Sequence, residues 1–200
     1  MNPKKSFTLL FLLVITLVSA QRYTILSGSL ESLAGIPAYK VTFDYKGQNV
    51  QGFDTEEAFL NEKMDKRKNK EGEAEKFKQD WYGDREKYYE LKFINYFNRR
   101  FDKGEVKISK DVEAKYTMNV KTTWIYPGYS AVAVAEPAKI SAVITFFETE
   151  HPDKVLLSIL FDKSIGIEQG QFDFSQGERI AGAYEKLAKS LTIQMKRFVK

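Results

Sequence analysis

The sequence predicts an α+β fold: a two-layer sandwich in the order β-α-β-β-β-α, with a mostly antiparallel sheet and two helices packed on one face. Three observations predict it. Residues 112–124 alternate apolar and polar side chains throughout, the pattern of a long strand with one face on a core and one facing water. Residues 140–147 and 155–161 are apolar-rich runs separated by Glu150-His151-Pro152-Asp153, the pattern of an antiparallel hairpin. Two segments, 73–101 and 177–198, carry apolar stripes at helical spacing.

The elements follow in chain order. Residues 21–37 mix Ser, Gly and Leu without a sustained period and are expected to form an N-terminal arm. Tyr39, Val41, Phe43 and Tyr45 alternate with Lys40, Thr42 and Asp44, so the first strand lies here and stops at Lys46-Gly47. Asp54-Thr55-Glu56-Glu57 has the acidic character of a helix start. Residues 62–78 are densely charged with Gly72 in the middle, which fits either a solvated helix face or an excursion around 66–72. Phe77, Trp81, Tyr88, Leu91 and Phe101 then define the buried stripe of the long helix. In the strand at 112–124, Met118, Val120, Thr122 and Trp124 share one parity. Residues 130–138 read as a loop or short edge segment, and 162–176 as a loop. Ile180, Tyr184, Leu187, Leu191 and Met195 form the stripe of the last helix.

The first twenty residues have a different character. Lys4 and Lys5 precede an apolar run from Phe7 to Val18, followed by Ser19-Ala20. This is the three-part pattern of a secretory signal peptide, with cleavage expected between Ala20 and Gln21. The apolar run is shorter than the ~20 residues of a transmembrane helix. The expected organisation is a signal peptide at 1–20, the arm at 21–37 and one α+β domain at 38–200. The expected location is secreted or periplasmic, with no integral membrane segment after cleavage.

Composition narrows the function classes. The chain has no Cys, which excludes disulfides and thiolate metal sites. It carries 31 basic and 27 acidic residues. Loss of Lys4 and Lys5 leaves a net charge of +2, too balanced for a nucleic-acid binder. No Gly-rich phosphate loop is present, and His151 is the only histidine, so no His-based triad or metal site is expected, and no cofactor. Asp80 and Asp84 share a helix face at i, i+4, with Glu86 close behind. They underlie an alternative reading as a carboxylate-based hydrolase of envelope polymers. The surplus aromatics Tyr89, Phe93 and Tyr96 fit a wide core face or a second contact surface. Trp124, Tyr126 and Tyr129 surround the Pro127-Gly128 turn. With Phe172 and Phe174 in the later loop, they are the expected binding residues, since aromatics on rigid turns suit recognition. No catalytic residue is expected.

Three segments carry a family resemblance: Thr122-Thr-Trp-Ile-Tyr-Pro-Gly128, Pro137-Ala-Lys-Ile-Ser-Ala-Val143 and Gly177-Glu-Arg-Ile-Ala-Gly-Ala-Tyr-Glu-Lys-Leu-Ala188. Together they resemble a family of uncharacterised secreted proteins of the bacterial envelope. The order of elements is similar to that of the N-terminal domain of TolB and related small envelope lipoproteins. The resemblance implies a non-catalytic binding or assembly module whose partner is an envelope protein or a cell-wall component. It carries over no catalytic residue. Gln21 stands where such lipoproteins have their lipid-bearing Cys, a departure from their pattern.

Overall fold

The computed structural model describes residues 23–131, 134–166 and 175–199. Ala20, Gln21, Phe172 and Phe174 lie outside the described residues. The fold is α+β with a mixed sheet. Its strands are β1 (Tyr23–Gly28), β2 (Ala38–Asp44), β3 (Asn49–Val50), β4 (Lys107–Ser109), β5 (Tyr116–Tyr126), β6 (Tyr129–Ser130), β7 (Ala135–Glu136), β8 (Lys139–Glu148) and β9 (His151–Ile165). Its helices are α1 (Glu56–Asp65), α2 (Glu73–Asp84), α3 (Leu91–Arg100) and α4 (Gln176–Met195). A π-helical turn, Arg85–Glu90, joins α2 to α3 without a break.

The main sheet runs β1-β9-β8-β5-β2-β4, with β3 pairing the far end of β5. The pairs β1–β9, β9–β8 and β8–β5 are antiparallel, whereas β2 is parallel to both β5 and β4. The parallel pairs arise because the chain leaves β2, crosses through α1–α3 and re-enters the sheet in the same direction. The "mostly antiparallel" expectation therefore holds for one side of β5 only.

The N-terminal segment differs from the expected arm. Tyr23–Gly28 pairs along β9, and Leu30–Leu33 forms a 3-10 turn that buries Leu30 and Leu33. The segment has no clean alternation because it is an edge strand, exposed throughout, with a bulge between Ile25 and Ser27. The charged stretch at 62–78 resolves into the end of α1, turns, and the start of α2. Thr55 caps α1 by accepting from the Ala58 N–H at 3.0 Å. Around the 130–138 stretch, Tyr129–Ser130 pairs with Ala135–Glu136. The first part of the expected loop at 162–176 is strand, since β9 continues to Ile165, and 167–174 lie outside the described residues.

One face of the sheet is buried. Tyr39, Val41, Met118, Val120, Ile144, Phe146, Leu157, Ile159 and Phe161 are buried in register across four strands. Helical side chains meet this face: Phe93 packs edge-on against Phe43 at 5.7 Å, and Tyr184 bonds to Thr122. The other face is an open polar ladder: Thr42 accepts from Asn119 at 2.9 Å, and Thr145 bonds to Ser158 at 3.2 Å.

Two one-residue insertions change what periodicity predicts. The π turn takes up one extra residue and rotates the buried stripe. From Tyr89 on, the buried stripe is Tyr89, Phe93, Phe97 and Phe101, with Tyr96 beside it. Leu91, expected on the core face, is 51% exposed. In β5 the register slips between Thr122 and Trp124, so Thr123 is an extra residue. Thr122 pairs with Ala142 on the buried face, whereas Trp124 pairs with Ser141 and turns to the open face. Ile125 then takes the core position opposite Ile140. Of the two readings of Tyr89, Phe93 and Tyr96, the structure supports the wide core face, since all three are buried in the core.

Candidate functional site

Both insertions meet at one level of the sheet, and each side of it carries a cluster of aromatic and charged groups. On the helix side, the Glu56 carboxylate accepts from Gln48 Nε2 at 2.5 Å, from Trp81 Nε1 at 2.5 Å and from the Arg85 guanidinium. Arg85 also lies over the rings of Tyr45, at 4.4 Å, and Tyr82, at 4.8 Å. The Tyr45 hydroxyl donates to Glu90 at 3.3 Å, and Lys110 reaches the other Glu90 oxygen at 2.6 Å. Tyr89, on the π turn, stacks on Tyr184 with centroids 5.2 Å apart. Tyr184 shares a 2.5 Å hydrogen bond with Thr122, the residue before the bulge. Burial pushes the phenols of Tyr45, Tyr89 and Tyr184 well above the usual tyrosine range. Glu56, Arg85 and Glu90 thus find opposite charges and donors around them, which is what buried charge requires. This cluster fastens the crossover helices to the sheet.

On the open side, the same rung presents its groups to solvent. Ser141 is flanked by irregularities on both neighbours, Thr123 on β5 and the β9 segment opposite 140–142. The Ser141 hydroxyl donates to Asp162 at 2.8 Å and accepts from the Lys163 N–H at 3.0 Å. These bonds hold Lys163 at a φ of 48°, the only non-glycine with positive φ among the described residues. Such a backbone is strained by about 1–2 kcal/mol for a residue with a Cβ. It directs the lysine over Trp124, with Nζ 5.8 Å from the ring. A second lysine repeats the arrangement: Lys139 lies 5.1 Å from the Tyr126 ring and pairs with Glu136 at 2.7 Å. Glu136 also accepts from the Tyr126 hydroxyl at 2.7 Å. Desolvation and this bond raise the Tyr126 phenol to about 12, while Lys139 and Tyr126 hold the Glu136 carboxyl below its usual range. Tyr129, on β6, is 46% exposed.

The structure therefore brings together Trp124 and Tyr126 and adds two lysines that the sequence reading did not single out. No sequence signal marks Lys163, because its orientation depends on a bulge. Gly128, at φ 65°, lets the chain turn tightly against the backbone of Glu136 and Pro137, where a Cβ would not fit. Arg179 of α4 reaches Pro127 O at 3.4 Å and fixes the turn from the other side.

The remaining expected residues lie elsewhere. His151 opens β9 and is exposed. Asp80 pairs with Lys76 at 2.5 Å on an exposed helix face. Asp84 packs against Gly177 at the start of α4, its carboxyl raised by burial and by Asp80. Glu86 lies 3.7 Å from Lys110. Among the described residues no group of three His, Asp or Glu is placed to hold a metal ion. No described helix is long and apolar enough to cross a membrane.

Fold and site together define the class: an α+β protein with a mixed sheet, one face buried and one open, and an aromatic–lysine cluster at the end of the open face. No family model, curated protein or solved structure matches the chain.

Proposed function

We propose that this protein is a non-catalytic, secreted or periplasmic binding module of the bacterial cell envelope, and that the Trp124–Tyr126–Tyr129 surface takes a cell-wall component. The observation that carries the reading is the bulged rung, which turns Trp124 out of the core and holds Lys163 over it at strained φ. Strain concentrated beside a half-exposed Trp is a feature of sites where geometry serves recognition. The ligand class follows from chemistry. Flat aromatic faces accept the C–H faces of sugar rings, and Lys163, held over Trp124, supplies a cation for the carboxylates that cell-wall glycopeptides carry. The apolar run at 7–18 and the small residues before Gln21 support export.

The test is cosedimentation with purified peptidoglycan sacculi. The wild-type protein is expected in the pellet, and the double variant Trp124→Ala, Tyr129→Ala is expected to lose affinity by about tenfold or more. Trp81 is buried, so a change of tryptophan emission on binding would report Trp124. Equal sedimentation of wild type and variant would overturn the assignment.

A further inference from the structure

The two edges of the main sheet are finished differently. At one edge β4 is three residues long, and its outward backbone is already used. The Asn98 side chain of α3 donates to Ile108 O and accepts from Ile108 N–H, both at 2.9 Å. One amide group stands in for the next strand and closes that edge. At the other edge, among the described residues, no strand lies beyond β1. Its sequence, Tyr-Thr-Ile-Leu-Ser-Gly, contains no charge and no proline. All six residues are exposed, with Tyr23 at 37%, Ile25 at 43% and Leu26 at 53%. An uncharged, β-branched and aromatic edge without these protections is a template for another strand.

We propose that β1 pairs antiparallel with β1 of a second copy of this chain, joining the two sheets across a two-fold axis near Thr24. Four features select a second copy. The bulge after Ile25 limits the regular edge to residues 23–25, a length that a two-fold centred on Thr24 uses completely. In that register Tyr23 of each copy lies opposite Ile25 of the other, an aromatic–β-branched pair of the kind that stabilises sheets. Tyr23 and Ile25 pair with Phe161 and Ile159 of the buried face, yet remain exposed themselves, so the second copy extends the apolar row. Finally, the edge closed by Asn98 offers no place for a β1 strand, so head-to-tail growth stops and association ends at a closed dimer.

The absence of Cys makes a clean test possible. The protein purified from cells expressing the full sequence is examined by sedimentation velocity over a range of concentrations. A monomer–dimer equilibrium is expected. Thr24→Pro, which removes a donor and stiffens the edge, and Ile25→Lys, which places like charges across the axis, are each expected to give monomer. Far-UV circular dichroism and melting temperature identify any variant that fails to fold, and the other variant then decides. Thr24→Cys is expected to crosslink on oxidation at least tenfold faster than Thr42→Cys, a control on the open face. Three results would overturn the proposal: monomer at every concentration, a dimer that survives in every folded edge variant, or equal crosslinking of the two Cys variants. Capture of a strand from a different protein by a monomeric chain would do the same.

Discussion

The two sides of the bulged rung use similar residue types to opposite ends. On the helix side, Arg85, Glu56, Glu90, Tyr45 and Tyr184 are buried or nearly so, and each charge meets an opposite charge or a donor. On the open side, Trp124, Tyr126, Lys139 and Lys163 remain partly accessible, and Lys163 stands over a ring rather than against a carboxylate. A buried charge has its interactions chosen for it, because an unpaired one costs several kcal/mol. A half-exposed lysine over an aromatic face loses little by exchanging water for a ligand. Identical chemistry therefore fastens the fold on one side and stays available on the other, and the difference is access to solvent.

That comparison can be broken by substitutions on each side. The largest effect is expected for Glu56→Ala, which strands the Arg85 guanidinium, the Trp81 indole N–H and the Gln48 amide. Urea unfolding should show a loss of about 3 kcal/mol or more. Alkaline pH should act next. Tyr45, Tyr89 and Tyr184 have folded pKa values raised above the unfolded value of about 10. Their contribution is complete below pH ~10 and is lost as pH rises above it, where the unfolded chain ionises first. Ultraviolet titration at the phenolate band should show these phenols ionising only as the protein unfolds, whereas Tyr184→Phe reduces the delayed fraction.

Smaller effects separate the two sides further. Thr122→Val removes one partner of the Tyr184 hydroxyl and should cost about 1 kcal/mol in a thermal or urea melt. Lys163→Gly should change stability in the other direction, by about 1 kcal/mol, because Gly accepts the positive φ without strain. The same variant should weaken binding to sacculi, which tests whether the strain serves recognition. Trp124→Ala is expected to move the unfolding midpoint least, within about 1 kcal/mol, since the ring is not in the core. A large loss there would erase the distinction between the sides.

Much of the fold was legible because one-sided burial writes a period into the sequence. The β2 alternation, the pairing of β8 with β9, the start of α1 and the α4 stripe all stand where the pattern placed them, although β9 already begins at His151 within the expected turn. The edge strand β1 was not legible, because a strand exposed on both faces has no core face to impose alternation. Helical spacing puts Leu91 on the core face, and alternation gives Trp124 the parity of Met118 and Val120. Both lie outside the core for a shared reason: one extra residue, in the π turn and in the β-bulge, rotates everything that follows. Of the candidate site, the Trp124–Tyr129 aromatics were named from the Pro127-Gly128 turn, whereas Lys139 and Lys163 were not, because their rings come from other strands.

The sequence by itself determined the α+β class, the absence of thiol chemistry, the balanced charge and the residues that form most of the buried sheet face. Tertiary structure alone decided which aromatics face solvent, which charges are buried, and which sheet edge is closed. The physical reason is that periodicity records local repeats of 2.0 and 3.6 residues. An inserted residue becomes affordable only when packing on both sides compensates it. Here the Tyr89–Tyr184–Thr122 contact supplies that compensation between helix and strand.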